Sequence, residues 1–80
     1  MKIFLLSRTD NCNRFDNYLN AVVVANNIQE AIDIHPSGNN DCWNIKLNGW
    51  CQKADVAVTY LGEAADNIHA GVILSLFNNG

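Results

Sequence analysis

Residues 18–36, YLNAVVVANNIQEAIDIHP, carry two structural periods back to back. Tyr18–Ala25 is rich in β-branched valine and bounded by asparagines, the pattern of a strand. From Asn27 the pattern changes. Asn27 suits a helix N-cap, and Glu30 three residues on completes a capping-box-like signature. Ile28, Ala31, Ile32 and His35 then fall on one helical face by the i, i+3, i+4, i+7 rule. Pro36 cannot continue a helix, so the expected helix has little more than two turns. A strand that feeds a short amphipathic helix needs a sheet to pack on.

The rest of the chain supplies that sheet. Residues 2–8, KIFLLSR, read as a strand, with Ile3, Leu5 and Ser7 facing one way and Phe4, Leu6 and Arg8 the other. Residues 55–61, DVAVTYL, alternate and place Val56, Val58 and Tyr60 on one face. Residues 71–77, GVILSLF, form a last strand. Thr9 to about Asn17, the stretch SGNND and GEAADNIHA read as loops. Asn48-Gly49 is a strong two-residue turn signal, so residues 43–52 are expected to form a small hairpin, or at least a tight turn. The order ββα-hairpin-ββ defines a single α+β domain over 1–80: one small, mostly antiparallel, four-stranded sheet with one short helix on a face.

The strands 2–8 and 71–77 are apolar on both sides, which places them at the sheet centre. One short helix covers only one face. Phe4, Leu6, Ile73 and Phe77 are then left to line the other, where the Trp hairpin, a second subunit or a partner must cover them.

Composition narrows the function classes. The chain has 49% hydrophobic and 16% charged residues and a net charge of −3. Lys2, Arg8, Arg14, Lys46 and Lys53 are scattered and form no basic stripe, which argues against binding long nucleic acid. The apolar run in MKIFLLSRTD is too short for a signal-peptide core, and no stretch approaches a bilayer span. Three cysteines without a signal sequence point to reduced thiols in a cytosol. Cys42 and Cys51 lie too far apart for a close zinc-ligand pair, and Cys51 falls opposite Lys46 in the hairpin register, so separate thiols are expected. No cofactor, metal or catalytic motif is indicated.

The segment CWNIKLNGWC, residues 42–51, holds both tryptophans. Trp43 and Trp50, with Lys46 and Lys53 nearby and His35 at the rim of the helix face, form the candidate partner-binding set, because tryptophan dominates binding hot spots. The competing reading is that both indoles simply cover the sheet. Arg8, Arg14 and Glu63 form an alternative ligand-binding set, in which charge pairing joins indole stacking on a nucleotide.

Several stretches, MKIFLLSRTD, AVVVA…EAIDIHP, VTYLGEAA and GVILSLFNNG, resemble a family of short uncharacterised phage and prophage proteins. The likeness covers nearly the whole chain and rests on His35, Pro36, Trp43, Trp50, Leu61, Gly62, Glu63, Ala64, Gly71, Val72, Phe77, Asn78 and Gly80. Leu76, Asn79 and the cysteine pair depart from it. The resemblance implies a setting in bacterial host cytoplasm and no particular activity. It makes a non-catalytic counter-defence inhibitor, anti-CRISPR-like or of another anti-immune kind, the leading expectation, with a host bacterial protein as partner. The alternatives are an oligomeric sponge, for instance a homodimer, that sequesters a nucleotide immune signal, and a structural or regulatory phage protein.

Overall fold

The computed structural model describes residues 1–12 and 15–78. Four strands form one antiparallel sheet: β1 (Lys2–Arg8), β2 (Asn17–Ala25), β3 (Val56–Glu63) and β4 (Gly71–Asn78). Their order across the sheet is β3-β1-β2-β4. A short helix, α1 (Ile28–Ile32), follows β2, and two 3-10 turns, Asn40–Asn44 and Lys53–Asp55, precede β3. This is the expected α+β class. No helix among the described residues is long and apolar enough to cross a membrane.

The strand register fixes the two faces, because directly opposed residues in an antiparallel pair project to the same side. Phe4 opposes Val23 on one neighbour and Tyr60 on the other; Leu6 opposes Ala21 and Val58. These residues meet the helix and the Trp segment. Phe4, Leu6, Ala21, Val23, Ala25, Ala31, Trp50 and Cys51 form the buried core cluster, with Tyr18, Trp43 and Val56 packed around it. The helix and the tryptophans therefore share one face. On the reverse face, Leu5 opposes Val22 and Thr59, and Val22 opposes Leu74.

Two expectations about the sheet are corrected. Strand 71–77 is an edge strand, and only β1 of the two apolar strands is central. Apolar residues on both sides of a strand fit a buried centre or an unpartnered edge equally well, and Ile73, Leu74, Leu76 and Phe77 are all exposed. Phe4 and Leu6 do not line the open face; they lie beneath the helix and Trp50, at 2% and 0% exposure.

The helix ends at Ile32, short of the expected two turns. The Ile34 N–H bonds the Ala31 carbonyl, which tightens the last turn, and Pro36 bars further winding. Ile28 is exposed, not on the packed face. The N-terminal cap forms with a shifted partner. Asn27 Oδ1 accepts from the Glu30 N–H at 2.9 Å, and Glu30 reaches back to the Asn26 N–H at 3.1 Å.

The 43–52 hairpin is replaced by a 3-10 turn and a tight turn. Among the described residues Asn11 and Asp16 are the non-glycine positions with positive φ, so Asn48 lacks the backbone that a type I′ turn requires. Its side chain instead accepts the Trp50 N–H at 2.9 Å. The Gly49 carbonyl accepts the Tyr18 N–H at 2.7 Å, and this bond fastens the turn to the start of β2.

Candidate functional site

His35 is the hub beneath the Trp segment. It is fully buried, and its Nδ1 accepts from the Ser37 hydroxyl at 2.8 Å and the Ser37 N–H at 3.1 Å. Accepting a backbone N–H at Nδ1 assigns the ring proton to Nε2. That Nε2 meets no partner of hydrogen-bonding geometry, although Asn48 lies close enough to oppose part of the effect of burial. Burial dominates and holds the ring below the usual histidine range, so His35 is a neutral packing residue at pH 7. Tyr18 and Trp43 meet the imidazole edge-on, with centroids 6.0 and 5.2 Å away.

The two tryptophans occupy different environments. Trp43 is half-buried, and its indole N–H donates to the Asp33 carbonyl at 2.8 Å. The Lys53 ammonium sits 5.0 Å from the Trp43 ring centroid and 3.1 Å from Asp33 Oδ1. Trp50 is 7% exposed, lies in the core, and leaves Nε1 without a partner. The Arg8 guanidinium stacks 5.6 Å from its centroid.

Arg8 is heavily engaged. Nε and Nη2 each donate to Asp10 at 2.8 Å, and Nη1 donates to the Tyr18 carbonyl at 2.9 Å and to Asn17 Oδ1 at 3.3 Å. This bidentate pair pulls the Asp10 carboxyl down to about 2. Sequence reading missed Asp10, although its spacing from Arg8 across a strand end was visible.

Between these anchors the chain projects outward. Ile45 is 54% and Leu47 is 90% exposed, with the exposed Lys46 between them. Phe15, 67% exposed on the β1–β2 connection, and Leu47 line a cleft of about 770 Å³ together with Arg8, Asp10, Lys46 and Trp50. No pattern in the sequence marked Ile45, Leu47 or Phe15, because an isolated apolar loop residue looks the same packed or exposed.

The structure thus brings Trp43, Trp50, Lys46, Lys53, His35 and Arg8 into one region. Glu63 sits at the opposite end of β3, where it accepts from the Tyr60 hydroxyl at 3.2 Å. Arg14 lies outside the described residues, as do Asn79 and Gly80. Cys12, Cys42 and Cys51 are free thiols. Burial pushes Cys51 up to about 11. No group of three metal-binding side chains occurs among the described residues. Comparison with known protein families, curated proteins and solved structures finds no match to this chain.

Proposed function

We propose that this protein acts by stoichiometric, non-catalytic binding of a host bacterial protein, as a phage-encoded counter-defence inhibitor does. The observation that carries this reading is the exposed Ile45-Lys46-Leu47 tip, held between two anchored indoles. An apolar side chain at 90% exposure on a pinned loop gains area on contact and loses little entropy. Lys46 and Phe15 extend the surface around it. Trp43 and Trp50 support this tip more than they touch a partner, since one indole N–H is committed and the other ring is buried.

A nucleotide sponge has less support. The Arg8 donors that would pair with a phosphate are taken up by Asp10, Asn17 and Tyr18. The test is binding of purified bacterial immune proteins to immobilised wild type and to the L47D variant. A target retained by wild type and weakened roughly 30-fold in L47D, the scale of a ~2 kcal/mol hot spot, supports the reading. Equal retention by both proteins removes the loop tip from it.

A further inference from the structure

The sheet face opposite the helix is open except around Val24, which is buried. Leu5, Val22, Leu74 and Leu76 project from it, with Asn20 and Thr59 between them. Leu74 is 66% and Leu76 is 53% exposed. None of these six residues carries a charge, so the charged groups behind the net −3 sit elsewhere on the surface. A face without charge has nothing to offer an acidic or basic partner, but it complements another copy of itself.

We infer that two copies pack their open sheet faces together across a twofold axis. The dimer is a sandwich of two four-stranded sheets with a helix and Trp layer on each outer side. Strands of seven to nine residues, at ~3.3 Å per residue and ~4.8 Å between strands, give a face about 25 Å by about 19 Å. Two such faces in contact bury at most roughly 1,000 Å², about the least that a specific interface needs. Val24 is already buried within the protomer, so the contact centres on Leu5, Val22, Leu74 and Leu76. Aligned sheets at ~10 Å interdigitate such side chains. A twofold contact uses the same patch on both copies and closes at two.

The dimer does not depend on the proposed target. The Ile45-Leu47 tips lie on the helix side of each sheet, so both point outward and the assembly is bivalent. Light scattering after size exclusion, with reductant and without any partner, tests the inference. At high micromolar concentration the mass is expected at twice the 8.9 kDa of the chain. L74D and T59R, on opposite edges of the same face, are each expected to give a folded monomer, whereas L47D stays dimeric. A wild-type monomer at that concentration overturns the inference. So does a dimer that survives both face variants. A dimer lost in L74D but kept in T59R identifies pairing through the β4 edge and also overturns the face-to-face arrangement. Circular dichroism of both variants confirms that the sheet is intact, and both positions are exposed in the protomer.

Discussion

Trp43 donates its indole N–H to the backbone carbonyl of Asp33 at 2.8 Å, which ties the Trp segment to the turn that ends the helix. The bond spans ten residues and closes the His-Pro loop over the sheet. W43F keeps the ring but leaves this carbonyl without its donor. Chemical denaturation is expected to show a loss of about 1 kcal/mol, with the fold retained.

Trp50 stands in a different relation to the core. Its ring belongs to the same buried cluster as Phe4, Leu6 and Val23. W50A is expected to cost about 3–5 kcal/mol by opening a cavity in the small buried core. L47D, by contrast, is expected to leave stability within about 0.5 kcal/mol, because Leu47 contributes almost no burial. The same pair of denaturation curves separates support from surface.

Gly49 has φ +80°, and a Cβ there would lie 3.4 Å from the Asp16 carbonyl and 3.6 Å from the Tyr18 ring. G49A therefore strains the backbone at its positive φ, while the added Cβ meets Asp16 and Tyr18 at ordinary contact distance. A loss of about 1 kcal/mol or more is expected in thermal or urea unfolding.

Stability is expected to fall in two stages on acidification. His35 has a lowered pKa in the folded state, so the unfolded chain takes up the proton first. Stability is complete above the unfolded value of 6.5 and declines as pH falls below it. Asp10 is depressed from 3.8 to about 2, so the Arg8 pair contributes above 3.8 and is lost as pH falls towards 2. Asp10 is exposed, so its stage is the smaller one. Urea midpoints measured from pH 8 to pH 2 report both, and H35F is expected to abolish the upper stage.

The cysteines are expected to differ in reactivity. Cys51 is buried and pushed up to about 11, whereas Cys12 and Cys42 are partly exposed. At pH 8 a disulfide reagent should modify two thiols rapidly and the third only as fast as the core opens. Three equal rates would contradict the burial of Cys51.

The sequence by itself determined the α+β class, the four strands to within a residue or two of their ends, and the Asn27 cap. These depend on local period and on side chains that bond their own neighbourhood, as Asn27 does with Glu30. It also determined that one sheet face would lack a helix, since a single short helix cannot cover two faces. Which face stays open, and that β4 is an edge, came only from the tertiary structure. The pattern of GVILSLF is apolar on both sides whether the strand lies between neighbours or beside none. The Trp segment was decided at the same level. Asn48-Gly49 is compatible with a hairpin, but the Tyr18 N–H captures the Gly49 carbonyl and His35 packs edge-on against Tyr18 and Trp43. Those contacts join residues far apart in the chain, and no local pattern records them. The same long-range packing turns Ile45 and Leu47, in the loop between the two tryptophans, outward.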